Sequence, residues 1–307
     1  MKAEDLSPEQ EVETVRTALV RLAADLPPVA NIVEAFRELF IVRAQLRETI
    51  SVENGILVPD IDPDRFRQGS PILGKEAFHI PEKNLRNAAT PFIQAMKAGF
   101  PAIRSDLDAM ESALHKNGLE LETCVTSLLS DHLDDLADAA IAAQVDANVL
   151  SFFLGQLTAP FAQQIAASIV PLPEGLQWLK GYCPICGSWP MMSSLRGEEG
   201  RRMLTCSFCN HEWQYTRTAC PFCENEDHET LEYFYSEERP TERVEVCNSC
   251  KRYIVGVDLR DRMDEVVTEV AALGLVYLDI LAQEKGYLPG AVTAWNVFDY
   301  TGQNDRH

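Results

Sequence analysis

Apolar residues recur every three to four positions through the first 175 residues of the chain, and this spacing predicts a series of helices. The first helix is expected to begin at Pro8 with Ser7 as its cap, because proline is favoured at the first helical position and serine before it. Its apolar face is formed by Val12, Val15, Leu19 and Leu22. Further helices are predicted near residues 32–40, 81–98, 101–116, 119–130, 131–144 and 147–170. Prolines and glycines between residues 51 and 81 predict an irregular segment with at most short helical turns.

The pattern changes after residue 175, where short segments suited to strands replace the helical repeat. Such segments lie near residues 189–195, 202–205, 213–216, 230–236, 243–246 and 251–259. One last helix is predicted over residues 262–285, ended by Gly286. Because this helix has an apolar face that needs a partner, we expect it to pack against the N-terminal helices.

Cysteine spacing is the most specific chemical signal in the sequence. Eight of the nine cysteines form four Cys-x-x-Cys pairs within residues 183–250. Two residues between cysteines allow a tight turn to direct both sulfurs at one ion, so that two pairs complete a tetrahedron. Disulfides are the alternative, but disulfide frameworks are typical of small secreted domains. The spacing therefore predicts two metal ions per chain, and Cys124 is left as a buried core thiol.

Chain order indicates how the pairs combine. The intervals after the first and third pairs are long enough for a hairpin, whereas the interval after the second pair is short. Site 1 is therefore assigned to Cys183, Cys186, Cys206 and Cys209, and site 2 to Cys220, Cys223, Cys247 and Cys250. An interleaved arrangement stays open, because spacing determines reach but not topology.

The residue that follows each pair adds a local expectation. A metal knuckle favours left-handed backbone at this position, which Gly187 and Asn210 adopt most easily. Glu224 and Lys251 fit the same position less well.

These patterns predict an α fold with a small metal-ribbon β part. Residues 1–175 are expected to form an all-α domain, residues 176–258 a tandem four-cysteine module of rubredoxin or zinc-ribbon type, and residues 259–307 a C-terminal helix and tail that return to the helical domain.

Four sulfurs per ion do not identify the metal, because such ligands suit both zinc and rubredoxin-type iron. They also leave no coordination position for water or substrate, so neither site is expected to be catalytic. The acidic positions near residues 131–138 fit a solvated helix face, and the sequence shows no glycine-rich phosphate loop or nucleophile elbow. We therefore expect a protein that is not an enzyme.

Charge and hydropathy exclude further classes. The formal net charge of −20 argues against a nucleic-acid-binding surface. The N-terminus has no basic region followed by an apolar core, so no secretory signal is expected. The most apolar stretch, residues 147–170, contains amide side chains and a proline, and predicts a buried helix rather than a membrane span. We expect a cytoplasmic protein without membrane insertion.

Several short motifs follow one another in the second half of the chain. They are Tyr-Cys-Pro-x-Cys-Gly-Ser-x-Pro at residues 182–190, Glu-Trp at 212–213, Arg217 before the third cysteine pair, the fourth pair before a hydrophobic strand, and Gln-Glu-Lys-Gly-Tyr at 283–287. Their order resembles the formate dehydrogenase accessory protein FdhE family. The resemblance covers roughly residues 180–290, whereas the first 175 residues match only in being helical and of suitable length.

The resemblance implies a maturation factor that binds the catalytic subunit of a respiratory formate dehydrogenase and supports its assembly or activation. It also favours iron over zinc. Trp213 and Arg217 are the expected partner contacts, because these residue types are frequent interface anchors; the alternative for Trp213 is a cover over site 1. A rubredoxin-like electron carrier or thiol oxidoreductase is the alternative function, since Cys-x-x-Cys sulfurs can cycle once metal is lost. Homo-oligomerisation is left open.

Overall fold

A computed structural model describes residues 8–50, 61–172, 176–260 and 266–296 of the chain. The predicted cap Ser7, part of the irregular segment and the predicted start of the last helix lie outside the described residues. Within the described ranges the chain forms helices first and a mixed sheet afterwards, followed by two further helices.

The helical half contains eight α-helices among the described residues. They are α1 Pro8–Asp25, α2 Ala30–Thr49, α3 Pro63–Arg67, α4 Glu82–Gly99, α5 Arg104–His115, α6 Leu121–Leu129, α7 Leu133–Ala143 and α8 Ala147–Ile169. Helix α8 is apolar around most of its circumference and is buried along most of its length, packed by α2, α4, α6 and α7. Its start is set by Asp146, whose carboxylate accepts from the backbone N–H groups of Asn148 and Val149 at 2.8 and 3.3 Å.

One continuous sheet follows the helices. Its strands are β1 Pro190–Arg196, β2 Arg201–Cys206, β3 Glu212–Gln214, β4 Leu231–Ser236, β5 Arg239–Cys247, β6 Arg252–Asp258 and β7 Leu288–Pro289. The order across the sheet is β3-β2-β1-β6-β5-β4, and β7 pairs with β6. Two antiparallel ribbons, β1–β3 and β4–β6, are joined by parallel pairing of β1 with β6, from Met192 opposite Val255 to Leu195 opposite Asp258.

The two faces of the second ribbon differ. Val244 and Val246 of β5, with Val255 and Val257 of β6, are buried in the same core as the helices. Side chains alternate across a strand, so the intervening residues lie on the opposite face, where β4 and β5 are polar and partly open to solvent and Ile254 of β6 is buried.

The prediction of a single last helix is wrong. Among the described residues this segment forms two helices, α9 Thr268–Gly274 and α10 Val276–Glu284, which meet at Leu275. The reason is that the two halves pack on different partners. Helix α9 lies against α1, where a Cβ on Gly274 would approach Leu22 Cδ1 to 2.8 Å, whereas α10 lies against β5 and β6. The expected return of the chain to the N-terminal helices is made by α9.

A buried ionic network holds α9 in place. Glu269 is 9% exposed and pairs with Arg43 and Arg47 of α2. Gln163 of α8 donates to the same carboxylate at 2.9 Å, and Arg43 also donates to Gln156 at 3.0 Å. Burial lowers the pKa of Arg43, although the charge of Glu269 opposes that shift. The network therefore ties three distant parts of the sequence together.

In the described part of the chain, no single helix combines the length and hydropathy of a membrane span. Helices α7 and α8, bent by 107° where they meet, reach that composition only as a pair.

Candidate metal centres

The first ribbon brings together the four sulfurs of site 1. Cys183 and Cys186 lie in the loop before β1, Cys206 ends β2, and Cys209 lies in the turn before β3. The Sγ atoms of Cys183 and Cys209 are 3.6 Å apart and those of Cys186 and Cys206 are 3.4 Å apart. All four sulfurs lie within 4.8 Å of one another. A tetrahedron with metal–sulfur bonds of about 2.3 Å has edges of about 3.8 Å, so this group could hold one ion.

The second ribbon does the same for site 2. Cys220 and Cys223 lie in the loop before β4, Cys247 ends β5, and Cys250 lies in the turn before β6. The Sγ distances are 3.7 Å for Cys220 to Cys250 and 3.7 Å for Cys223 to Cys247. The cysteines are therefore grouped in chain order rather than interleaved. These two groups are the ones in the described residues whose geometry could hold a metal ion.

All four knuckles end in the same backbone conformation. The residues after the second cysteine, Gly187, Asn210, Glu224 and Lys251, have φ values of 75°, 58°, 57° and 59°. In three knuckles this residue donates its N–H to the carbonyl of the first cysteine: Gly187 at 2.9 Å, Glu224 at 3.0 Å and Lys251 at 2.8 Å. Glu224 and Lys251 thus adopt a conformation that costs an ordinary residue about 1–2 kcal/mol. The sequence expectation for these two positions was too restrictive, because closure of the knuckle outweighs residue preference.

Backbone donors face the sulfurs as well. The N–H of Ile185 points to Cys183 Sγ at 3.4 Å, and the N–H groups of Phe208 and Cys209 point to Cys206 Sγ at 3.4 Å. Such donors stabilise thiolate charge. Burial, with a contribution from the neighbouring sulfurs, raises the pKa of the Cys183 and Cys209 thiols. Four thiolates this close together would repel one another unless a cation lay between them, and the ligand set suits iron or zinc.

The two centres differ in exposure. At site 1 all four cysteines are buried, and none is more than 2% exposed. At site 2 Cys220 and Cys247 are buried, Cys250 is partly exposed and Cys223 is exposed. Solvent therefore reaches a ligand of site 2 but not those of site 1.

The helical half encloses site 1. Backbone N–H groups of Ile72 and Leu73 donate to the carbonyls of Pro184 and Ile185 in the first knuckle, both at 2.9 Å. Tyr182 donates its hydroxyl to the carbonyl of Gly69 at 2.7 Å. The predicted irregular segment therefore has a structural role that its prolines and glycines do not reveal, since its backbone seals the first metal knuckle.

The two predicted partner contacts differ in exposure. Trp213 of β3 is 5% exposed, and its Nε1 donates to the carbonyl of Lys180 at 3.2 Å. The prediction that it is an exposed anchor is wrong, because the ring is part of the core that contains the site 1 cysteines. Arg217 is exposed and lies beside Cys220 on the wall of a cleft.

Comparison with known proteins shows where this chain belongs. Residues 182–217 match the family described as FdhE, central domain. The FdhE homolog of Aquifex aeolicus is 31% identical over 62% of each chain, and FdhE of Escherichia coli O127:H6 is 26% identical over 57% of each, so these matches span less than two thirds of those relatives. The crystal structure of the FdhE protein from Pseudomonas aeruginosa aligns with a TM-score of 0.58 at 24% identity, over 94% of this chain and 95% of that one, and confirms the predicted fold class. An FdhE homolog of Pseudomonas aeruginosa is 30% identical over 77% of this chain and 76% of its own length, and this chain accordingly belongs to the FdhE family.

Proposed function

We propose that this protein is an accessory factor for a respiratory formate dehydrogenase. It binds the catalytic subunit of that enzyme in the cytoplasm and supports its assembly or activation, without turning over a substrate itself. Membership of the FdhE family, whose motifs belong to formate dehydrogenase accessory proteins, supports this role.

The observation that carries the proposal is the closed ligand set of both centres. Four cysteine sulfurs at each site fill every position of a tetrahedral ion, whereas a catalytic metal keeps one position open. A bound zinc ion would stabilise the fold without redox activity, whereas a bound iron ion would also supply a one-electron redox centre. The protein's own residues hold the ion and exclude substrate from it, which suits a binding protein better than an enzyme.

Of the two predicted partner contacts, Arg217 is the one whose side chain is exposed, as a partner surface requires.

The proposal is tested by co-purification of the catalytic subunit with the tagged full-length protein from formate-grown, oxygen-limited cells. We expect the subunit to be retained by the native chain and to be reduced in yield by the double variant Cys220→Ser/Cys223→Ser. In a deletion strain the catalytic polypeptide should be made while formate dehydrogenase activity is lost. Normal activity in that strain, with no second copy of the gene, would contradict the proposal.

A rubredoxin-like electron carrier or thiol oxidoreductase is the second candidate function. It is favoured by the exposure of Cys223, which brings a ligand of site 2 to the surface where a redox partner could approach. Its test is a potentiometric titration of the iron-loaded protein followed by thiolate charge-transfer absorption. Reversible reduction at a physiological potential would favour this function, and its absence would favour a purely accessory role.

A further inference from the structure

A cleft of about 300 Å³ opens on the polar face of the second ribbon, beside site 2. Tyr233 of β4 lies opposite Glu245 of β5, so both point to this face, and Arg243 of β5 lies there too. The loop that carries Cys220 and Phe222 forms the facing wall. This volume lies at the lower end of the range for pockets that take small molecules.

Arginine side chains dominate the charge of the cleft. The lining contains Arg202, Arg217, Arg243 and Arg252, but only two glutamates, Glu232 and Glu245. Glu245 accepts from Arg202 at 2.5 Å and from Arg243 at 3.1 Å. In the described part of the chain neither Arg217 nor Arg252 has an ion pair. The lining arginines therefore outnumber the lining glutamates by two, while Cys220 and Cys247 of site 2 bring thiolate charge to the same cleft.

One of these arginines is built into the floor of the cleft. Arg202 is 4% exposed, and its Nη1 donates to the carbonyls of Thr216 and Ala219 at 3.1 and 2.8 Å. Its Nε is also buried and finds no hydrogen-bond acceptor among the described residues. A buried donor without an acceptor costs about 1–3 kcal/mol. Because this nitrogen is closed off from solvent, Arg202 shapes the floor of the cleft and its Nε offers no donor on the cleft surface.

The rest of the lining is apolar or aromatic. Phe222, Leu231 and Ile254 contribute apolar surface. Tyr233 is 63% exposed, and the Arg243 guanidinium carbon lies 5.8 Å from its ring centroid. An exposed ring beside a guanidinium group offers a surface on which a planar group can stack.

We propose that this cleft binds a small organic anion in which a carboxylate or phosphate group is joined to a planar ring. The anionic group contacts Arg217 and Arg252, and the ring lies against the exposed Tyr233, with the partly buried Phe222 on the facing wall. Guanidinium groups suit this ligand because their parallel N–H donors match the oxygens of carboxylate and phosphate. This binding site goes beyond the accessory role and does not depend on it.

Calorimetric titration of the metal-loaded, full-length protein at low salt tests the ligand class. AMP and benzoate carry both a ring and an anionic group, adenosine and benzyl alcohol carry only the ring, and inorganic phosphate carries only the charge. We expect AMP or benzoate to bind, and whichever binds identifies the preferred anionic group. Binding should weaken with added salt, and the neutral ring compounds should not bind. If neither AMP nor benzoate gives a binding signal at millimolar concentration, the proposal is overturned.

Matched variants test the residues. Arg217→Gln and Arg252→Gln should each weaken binding by about tenfold or more, the value of one charge-assisted hydrogen bond. Arg201→Gln is the control, since Arg201 is exposed on β2 and does not line the cleft. Metal analysis of each variant reports whether site 2 is intact. Unchanged ligand affinity in both cleft variants would contradict the proposal. If those variants also lose metal from site 2, the arginines only balance the charge of the thiolates.

Discussion

The two metal centres have the same ligands, the same pairing in chain order and the same knuckle conformation, yet their surroundings differ. Site 1 is sealed by backbone hydrogen bonds from Ile72 and Leu73 of the helical half. Site 2 is held on one side by the C-terminal segment, where Leu288 donates to the carbonyl of Lys251 at 2.8 Å and Tyr287 to Asn248 at 2.8 Å. Its Cys223 is left exposed. The cysteine motif therefore sets the coordination, whereas the rest of the chain sets access to it.

This difference in exposure suggests that the two sites have different roles in stability. An ion buried in site 1 would stabilise the whole chain, because its loss would also free the segment that covers it. An ion in site 2 would stabilise its own ribbon and stay open to exchange with solvent or with another molecule.

The largest effect is expected from removal of one site at a time. Cys183→Ser/Cys186→Ser and Cys220→Ser/Cys223→Ser should each lose one ion and keep the other. The first variant should lose more stability, on the order of several kcal/mol, because metal binding free energy is part of the folding free energy. Metal analysis and chemical denaturation measure both. Equal losses of stability in the two variants would remove the proposed asymmetry, and loss of both ions from either one would show that the sites are interdependent.

A smaller effect is expected from pH, through a buried carboxyl that lies between α10 and the second ribbon. Asp279 of α10 accepts from the Tyr253 hydroxyl of β6 at 2.7 Å, and burial raises the pKa of this carboxyl to about 7. The folded chain therefore holds a proton that the unfolded chain releases above about pH 4. The free energy of unfolding contributed by this group should fall as the pH rises from about 4 to about 7, by about 1.4 kcal/mol per pH unit at most, and level off above that range.

The variant Asp279→Asn should lose this pH dependence and be more stable than the native chain at pH 8. Asp134→Asn, at an exposed position of α7, is the control and should leave the pH profile unchanged. Denaturation curves between pH 5 and pH 8 measure the effect. If the free energy of unfolding of the native chain follows the same pH dependence as that of Asp279→Asn, the carboxyl ionises normally.

The smallest effect concerns the seal of site 1. Tyr182→Phe removes the hydroxyl that donates to Gly69 and leaves a carbonyl without its partner. We expect a loss of about 1 kcal/mol of stability and faster release of the site 1 ion. Tyr235→Phe, which changes a half-exposed ring on β4, is the control. If Tyr182→Phe changes neither quantity, the helical half does not seal the site through this contact.

Much of this arrangement was predictable from the sequence, because it depends on local pattern. Helical periodicity placed α4 and α8 to within a residue or two, and cysteine spacing gave the groups that the ribbons assemble. Each ribbon is built from neighbouring segments, so its pairing follows from short hairpins.

Other features depend on contacts between distant segments and carry no local signal. The parallel pairing of β1 with β6 merges the two ribbons, and nothing in either strand specifies the other as its partner. The break at Leu275 arises because α9 and α10 pack on different surfaces. The buried pair of Arg43 and Glu269 looks like two ordinary surface charges until the helices are assembled. The burial of Trp213 also depends on assembly, since an aromatic residue beside a knuckle can face either the core or solvent.

Metal release from the intact protein tests the central claim, that one centre is sealed by the helical half and the other is accessible. The full-length, metal-loaded chain is mixed with an excess of a chromophoric chelator, and release is followed in time for the native protein and for the two double-cysteine variants. We expect two phases of one ion each. The fast phase should be absent from Cys220→Ser/Cys223→Ser and retained in Cys183→Ser/Cys186→Ser. Release of both ions in one phase, or a fast phase that disappears with site 1, would contradict this account.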